Sequence, residues 1–277
     1  MASASRKIIL CADDYGLSPG VNRGIRELLD AGRLNATSVM VLPPSFVAQE
    51  VAALQYAAGQ AQIGLHVTLT APFAPLTKDF MPTRDGAFLP LAVALQTAAV
   101  TRRYHIGVVA KEVAAQMRRF TEAFGKSPDY VDGHQHVQLF PQIREAVLKV
   151  VAELAPKAWV RQCGRQTSIV RRVTDHKGLL LDILSVAVRR KARRLGLTTN
   201  PAFAGTYSFQ LGTDYPTLFS TFLDGLPDSG LVMCHPGYVD AELERLDSLT
   251  SIRERELAFF KSAAFSTLLA TKGVTLF

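Results

Sequence analysis

Residues 7–16 read KIILCADDYG, a short apolar run that ends in two adjacent carboxylates. Residues 8–12 carry no charge, Asp13 and Asp14 follow at once, and Gly16 then breaks the pattern. An uncharged run of this length, bounded by a turn residue, predicts a strand that is buried on both faces, as in a parallel sheet. The two carboxylates then lie at the carboxyl end of the strand, where parallel α/β folds bind their ligands.

Two ionised carboxylates side by side repel each other unless a cation or a shared proton offsets the repulsion. The pair Asp13 and Asp14 therefore favours a metal site or a catalytic site at this strand end. The structural alternative is that an Asp pair in such a place serves as a helix N-cap or as solvated loop residues.

Composition favours one ordered domain in a reducing compartment. The chain has 277 residues, of which 48% are hydrophobic and 20% charged, so it can bury a sizeable core. We expect a single domain over residues 1–277, with residues 1–6 as a disordered tail. The chain has three cysteines, Cys11, Cys163 and Cys234, and they are widely spaced. An odd number of widely spaced cysteines argues against a disulfide framework and favours a cytoplasmic location.

The charge and the hydropathy pattern limit the expected partners. The formal net charge of +7 suits acidic substrates or surfaces, but it is not large for this length. The first seven residues are too short and too polar for a signal peptide, and no apolar run approaches the roughly 18–20 residues of a membrane span. We therefore expect no nucleic-acid partner and no membrane span, and we leave a homodimer open.

Apolar runs typical of strands alternate with amphipathic helical segments along the chain. The predicted strands after the first are 36–42, 62–69, 158–161, 231–235 and 273–277, and residues 129–136 are predicted as a further strand with the loop that follows it. The predicted helices are 18–31, 46–58, 91–99, 107–124, 141–154, 178–195, 215–223 and 249–270. This alternation is typical of a parallel α/β fold, and about seven strands favour a distorted (β/α) barrel over an open sheet.

Two regions have little periodicity. Residues 70–90 hold four prolines and predict a long loop beside the strand ends, where such loops often form lids or substrate walls. Residues 162–213 are harder to interpret, and outside the helix 178–195 we expect loops or an insert around the site.

Chemically active side chains recur where the predicted strands end. If the strands are parallel, these side chains converge on one mouth of the barrel. They are Asp13, Asp14, His66, His134, His136, Arg161 and His235. One carboxylate with two imidazoles is a common metal set for hydrolysis, and it also matches the facial triad of non-haem iron oxygenases. The remaining carboxylate can then act as a base on water.

Each of these residues also has a structural interpretation. A single histidine in an apolar strand, such as His66, is often a core histidine with satisfied hydrogen bonds. The basic residues at 189–194 can contact nucleic acid or acidic lipid, or can form a solvated helix end that the helix dipole favours. No aromatic residue lies among them, which weakens the nucleic-acid interpretation. Cys11 and Cys234 lie in predicted buried strands and are interpreted as packing residues.

Four motifs in order identify a resemblance. They are ADDYGLSPGVNRGI at 12–25, GLHVTLT at 64–70, VDGHQHVQLFP at 131–141 and MCHPGYVD at 233–240. The chain resembles the YdjC-like carbohydrate deacetylases, which include chitooligosaccharide deacetylases and hopanoid-associated deacetylases. The resemblance extends from Lys7 to Asp240. It implies a polysaccharide-deacetylase-like distorted barrel, one divalent metal ion (Mg²⁺ or Zn²⁺), and removal of an acetyl group from an N-acetylated sugar.

The resemblance also implies roles for individual residues. Asp14, His66 and His134 correspond to the metal ligands, and Asp13 to the general base. His235 corresponds to a second catalytic group, a proton donor or oxyanion stabiliser. Arg161 corresponds to a positioning or substrate-binding residue. Apart from the resemblance, we expect Asp132 and His136 to hold the metal ligands in orientation.

The chain departs from the family pattern in two places. Family members often carry another histidine where this chain has Gln138, so we expect altered loop contacts there and no loss of the metal. Residues 162–231 match no motif, so they leave the sugar, its chain length and its carrier undefined.

Three other functions stay open at this point. One is a different metal-dependent amide or ester hydrolase, and another is a carbohydrate or nucleic-acid binder without catalysis. The third is an iron oxygenase, which the βα alternation disfavours because such enzymes use a β-sandwich.

Overall fold

The computed structural model describes residues 5–165, 176–210 and 212–276. Its strands are β1 Arg6–Tyr15, β2 Ala36–Val39, β3 Gln62–Val67, β4 Tyr130–Gly133, β5 Trp159–Val160, β6 Phe203–Ala204, β7 Leu231–Cys234 and β8 Val274–Leu276. Seven of them form one sheet in the order β5-β4-β3-β2-β1-β7-β6, and β8 pairs with the amino-terminal end of β1. Every pairing between these strands is parallel. The prediction of a parallel α/β fold with about seven strands is therefore confirmed.

The sheet curls into a distorted barrel. Between its edge strands β5 and β6, residues without regular strand structure complete the barrel. Val160 at the edge strand β5 donates its backbone N–H to the carbonyl of Thr198 at 2.9 Å and forms an isolated parallel bridge with Thr199. Phe203 of β6 donates in turn to the carbonyl of Gly164 at 3.1 Å. Residues 198–203 therefore satisfy an edge that would otherwise present unpaired backbone groups.

Helices cover the outside of the curled sheet. They are α1 Pro19–Asp30, α2 Ala48–Ala58, α3 Leu91–Gln96, α4 Ile106–Phe124, α5 Ile143–Leu154, α6 His176–Arg194, α7 Tyr215–Phe222, α8 Ala241–Leu246, α9 Ser251–Lys261 and α10 Ala263–Thr271. A π-helical turn at Thr97–Thr101 extends α3, and a 3₁₀ turn at His134–Leu139 follows β4. No helix in the described ranges combines the length and the apolar character that crossing a membrane requires.

Two local predictions differ from the structure, and one strand, β6, is not predicted. The single helix predicted over 249–270 is two helices, because Ser262 is extended and its hydroxyl caps α10 by accepting from the Phe265 N–H. Strand β6 has only two residues, too few for any periodicity to indicate it. The predicted tail over 1–6 is too long, because Arg6 already belongs to β1; residues 1–4 lie outside the described residues, as does 166–175 of the predicted insert.

Strand β1 is a buried interior strand of the sheet, as its uncharged run predicts. Residues 8–15 are all buried, and β1 pairs with β2, β7 and β8. Asp13 and Asp14 end this strand, and the backbone of Asp14 bends into the left-handed region at φ 74°. Asp tolerates that region better than most residues, so the strand can turn here and still present a carboxylate.

Gly64 in β3 lies where the close packing of β3 against β4 leaves no space for a side chain. A Cβ at this position would overlap the ring of Tyr130, whose hydroxyl contacts Cys11 and Ser38 next to the acids. We predict that Gly64→Ala lowers the free energy of unfolding by about 1–3 kcal/mol, because overpacking forces the ring or the strand to move.

Urea denaturation followed by circular dichroism measures this change. Gly107→Ala in α4 is the matched control, since nothing lies within 4 Å of its added Cβ. Equal unfolding midpoints for Gly64→Ala and the unchanged protein would contradict the prediction, because they would show that a methyl group fits between β3 and Tyr130.

Candidate metal and catalytic site

The carboxyl ends of the strands surround a cavity of about 220 Å³. Asp13 and Asp14 from β1, His66 from β3 and His134 after β4 line it, together with the loop 247–249 that precedes α9. His136 and His235 also line the cavity. The structure therefore brings together every histidine that the sequence predicts at a strand end.

Asp14, His66 and His134 form the closest group in this cavity. Asp14 Oδ1 lies 3.3 Å from His66 Nε2 and 3.0 Å from His134 Nδ1. One ligand atom from each residue lies within 4.8 Å of the others, and all three residues are buried. This is a carboxylate-and-two-imidazole donor set of the kind that holds zinc and similar divalent ions.

Asp132 fixes the orientation of the His66 ring. His66 Nδ1 contacts Asp132 Oδ1 at 2.6 Å, so Nε2 faces Asp14. The other carboxylate oxygen of Asp132 lies 2.6 Å from Arg161 Nη2 and accepts from the Ser38 hydroxyl at 2.6 Å. A carboxylate behind a histidine is the usual arrangement for a metal-binding imidazole, because it sets which nitrogen is free to bind.

Arg161 holds the other acid of the pair. Its Nη1 donates to Asp13 Oδ2 at 2.6 Å and its Nη2 to Asp13 Oδ1 at 2.7 Å. Burial raises the pKa of Asp13, but the attraction of Arg161 and the two nearby imidazoles of His66 and His235 together outweigh burial and keep this pKa below its usual range. Asp13 is therefore ionised at neutral pH.

The position of Arg161 changes the role that the sequence predicts for it. The side chain is completely buried beneath the cavity and does not line it. Its guanidinium contacts Asp13 and Asp132, so it cannot reach a substrate in the cavity. These contacts favour the positioning assignment over the substrate-binding assignment.

A second group of possible ligands, Cys11, Asp13 and Asp132, lies beneath the first. The guanidinium of Arg161 contacts all three, with Nη2 2.9 Å from Cys11 Sγ. Burial raises the pKa of the Cys11 thiol, which keeps it protonated. Arg161 is therefore the cation of this lower group, and the upper group is the one that suits a metal ion.

The charges of the upper group also favour a cation. Burial lowers the pKa of His66, but the nearby Asp132 and Asp13 carboxylates outweigh burial and raise it to about 10. Three buried carboxylates, Asp13, Asp14 and Asp132, face two buried guanidiniums, those of Arg161 and Arg253, and the protonated imidazole of His66, whose proton a bound metal ion would displace. The residues present therefore fit one divalent ion in both donor type and charge.

Arg253 is a site residue that sequence reasoning missed. Its Nη2 donates to Asp14 Oδ2 at 2.7 Å and to Asp247 Oδ2 at 2.7 Å. It lies on α9, SIRERELAFFK, where alternating charges indicate a solvated surface helix. No local signal distinguishes Arg253 from its exposed neighbours, because its partner Asp14 is remote in the sequence.

Glu256, one turn further along α9, was missed for the same reason. Its carboxylate accepts from the His235 backbone N–H at 2.6 Å and from the Tyr207 hydroxyl at 2.7 Å. Burial raises the pKa of Glu256. These bonds fix the backbone of His235 after β7, and the His235 ring lines the cavity edge-on to Phe209.

His136 and Gln138 lie further from the Asp14 group. His136 lines the cavity, where its Nδ1 is 3.6 Å from Cys163 Sγ and its ring is edge-on to Phe203. Gln138 is buried and its Nε2 donates to the Arg161 carbonyl at 3.4 Å. Gln138 therefore contacts the loop around β5, and the group Asp14, His66 and His134 is complete without it.

Comparisons with known proteins agree along nearly the whole chain. The family model of the YdjC-like protein matches residues 7–271. Chitooligosaccharide deacetylases from Citrobacter koseri and Escherichia fergusonii are 28% and 29% identical, and each alignment covers 98% of this chain and 97% of the relative. A candidate cellobiose-phosphate cleavage protein from Enterococcus faecalis has the same fold, with a TM-score of 0.72, 22% identity, and coverage of 99% of this chain and 97% of that one. The chain belongs to the YdjC-like protein family.

Proposed function

We propose that this protein is a metal-dependent hydrolase that removes the acetyl group from an N-acetylated sugar. Its substrate is an oligosaccharide or a glycolipid of the N-acetylglucosamine type, and its metal is one Mg²⁺ or Zn²⁺ ion. Two observations outside the site support the proposal: membership of the YdjC-like family, and full-length similarity to proteins named chitooligosaccharide deacetylases.

The observation that carries the proposal is that the two adjacent acids, Asp13 and Asp14, have different contacts. Asp14 faces two imidazole nitrogens, whereas Asp13 faces a guanidinium and has no such partner. Both acids line the same cavity. This is the arrangement that a one-metal hydrolase needs, with one acid as a ligand and its neighbour as a base.

The metal ligands in the proposal are Asp14, His66 and His134. When bound, the ion supplies Lewis acidity for the acetamide carbonyl and makes a water molecule easier to deprotonate. Asp132 keeps His66 oriented toward the ion through the 2.6 Å contact with Nδ1. Arg253 holds the second oxygen of Asp14, so Asp14 offers one oxygen to the ion.

Asp13 accepts the proton of the attacking water. Its low pKa keeps it ionised, and Arg161 holds both of its oxygens in place without entering the cavity. The hydroxide oxygen adds to the carbonyl carbon, the C–N bond breaks, and acetate forms. His235 donates the proton that the leaving sugar amine takes up, and Glu256 keeps the His235 backbone in position.

The size of the cavity restricts which part of a substrate enters it. Its volume of about 220 Å³ is below the ~300–1,000 Å³ that is typical for whole small-molecule ligands. The acetylated end of the sugar enters, and the rest of the substrate lies along the rim formed by His136, Phe209 and Ser248.

Acetate release tests the proposal directly. The protein is stripped with a chelator and incubated with N-acetylglucosamine oligomers and N-acetylated glycolipids, with Mg²⁺, Zn²⁺ or no metal added back. We expect acetate only when metal is present. If no substrate releases acetate while one equivalent of metal is bound, the site performs a different hydrolysis or only binds sugar.

We predict that Asp13→Asn lowers kcat by about 10²–10⁴-fold, because an amide cannot accept the proton of the attacking water. Metal binding is retained, since Asp13 is not among the ligands. Acetate release gives kcat, and metal analysis after gel filtration gives the stoichiometry. Full activity in this variant would remove Asp13 as the base.

We predict that His66→Ala weakens metal binding by at least about 100-fold, because one of three protein ligands is lost. Isothermal titration with Zn²⁺ measures the affinity. His105→Ala is the matched control: it removes a histidine that is exposed and lies at the start of α4. Unchanged Zn²⁺ affinity in His66→Ala would take His66 out of the ligand set.

A further inference from the structure

The outer face of α6 combines exposed aliphatic side chains with a cluster of arginines. Leu180, Ile183 and Val186 are 40%, 60% and 47% exposed. They are spaced three residues apart, so together they form an exposed apolar patch, which is more informative than a single exposed aliphatic residue. Arg190, Arg193 and Arg194 are also exposed. Residues three, four and seven apart share a helix face, so these six side chains form one continuous stripe, which we name the α6 face.

The opposite side of α6 packs against the 3₁₀ turn His134–Leu139 and against α5. Its buried side chains recur at the complementary positions and are Leu181, Ser185, Val188 and Ala192. The α6 face is thus not needed for packing. Among the described residues, no acidic side chain pairs with the three arginines of the face.

The other charged side chains between Gly178 and Arg194 are engaged elsewhere. Asp182, the one acid between Gly178 and Arg194, is buried and pairs with Arg165 at 2.9 Å. Lys191 pairs with Glu145. Arg189 donates to Gln162 Oε1 at 2.8 Å. The α6 face therefore carries positive charge without an acid of its own helix to offset it.

We propose that the α6 face binds peripherally to the surface of an anionic lipid bilayer. A bilayer surface offers lipid phosphates for the arginines and the acyl boundary for the aliphatic side chains, and both are met at once by a helix that lies flat. The stripe from Leu180 to Arg194 spans about 21 Å along the helix axis, at 1.5 Å per residue, which is long enough for several lipid headgroups.

Nucleic acid suits this face less well. The three arginines would contact phosphates, but Leu180, Ile183 and Val186 would be placed against a charged backbone and would gain nothing. The α6 face contains no aromatic side chain on which a base can stack. The aliphatic half of the face is therefore what selects a bilayer over RNA or DNA.

Flotation with vesicles tests the proposal on the full-length protein. Phosphatidylcholine vesicles with about 30% phosphatidylglycerol are compared with pure phosphatidylcholine, at about 0.1 M and about 0.5 M salt. We expect the protein to float only with the anionic vesicles, and high salt to reduce the bound fraction. Failure to float with anionic vesicles at low salt would overturn the proposal.

Variants distinguish binding through the α6 face from a general electrostatic attraction between the basic protein and the vesicles. We expect the triple variant Arg190→Gln, Arg193→Gln, Arg194→Gln to lower vesicle partitioning at least about tenfold, and Ile183→Asp to lower it by a similar factor. The matched control removes three exposed arginines from α4, α8 and α9, namely Arg118→Gln, Arg245→Gln and Arg255→Gln. Equal losses in the two triple variants would overturn the proposal.

Two further outcomes assign the face to another occupant. RNA binding that the α6 triple variant loses and Ile183→Asp keeps would assign the face to RNA. A dimer in light scattering that Ile183→Asp dissociates would assign it to a second copy of the chain. All α6 variants lie on exposed positions, so acetate release from a soluble substrate stays unchanged and separates this test from that of the proposed function.

Discussion

The site depends on the contacts of the buried Arg161 guanidinium with the carboxylates of Asp13 and Asp132. The guanidinium bonds both oxygens of Asp13 and one oxygen of Asp132, and those acids come from β1 and β4, which β2 and β3 separate in the sheet. Three fully buried charges in contact are stable only as a set, and removing one partner of such a pair typically destabilises a protein by about 3–5 kcal/mol. Arg161 thus fixes Asp13, the proposed base, and Asp132, the carboxylate behind His66, through one set of bonds.

Each of the three buried acids has a different set of partners, and these partners determine what it can do. Asp13 is bonded through both oxygens to Arg161 and stays ionised, which suits a base. Asp14 shares its oxygens between Arg253 and two imidazoles, which suits a metal ligand. Asp132 lies between Arg161 and His66, which suits orientation of a ligand. Three chemically identical side chains therefore have three different environments, and the proposed roles follow from these environments.

Much of this arrangement could be predicted from the sequence, because strand ends are local signals. An apolar run followed directly by an acid or a histidine marks a strand and the side chain at its carboxyl end, and parallel strands bring those ends together. Asp13, Asp14, His66, His134 and His235 were all found in this way. The two-residue strands β5 and β6 are too short for periodicity, and only β5, with its apolar neighbours, was predicted.

What could not be predicted depends on contacts between remote parts of the chain. Arg253 and Glu256 lie on a charge-rich helix whose pattern resembles a solvated surface, and only the folded chain brings them beneath Asp14 and His235. The burial of Arg161 was missed for a related reason. A cation at a strand end suggests contact with a ligand, whereas its two acidic partners lie on other strands and hold it below the cavity.

Anomalous diffraction from crystals grown with Zn²⁺ tests the central claim of this account most directly. The arrangement of Asp14, His66 and His134 predicts one anomalous peak at the zinc edge, about 2.0–2.2 Å from an oxygen of Asp14 and a nitrogen of each histidine. A peak among Cys11, Asp13 and Asp132, or no peak in the cavity at full zinc loading, would contradict it.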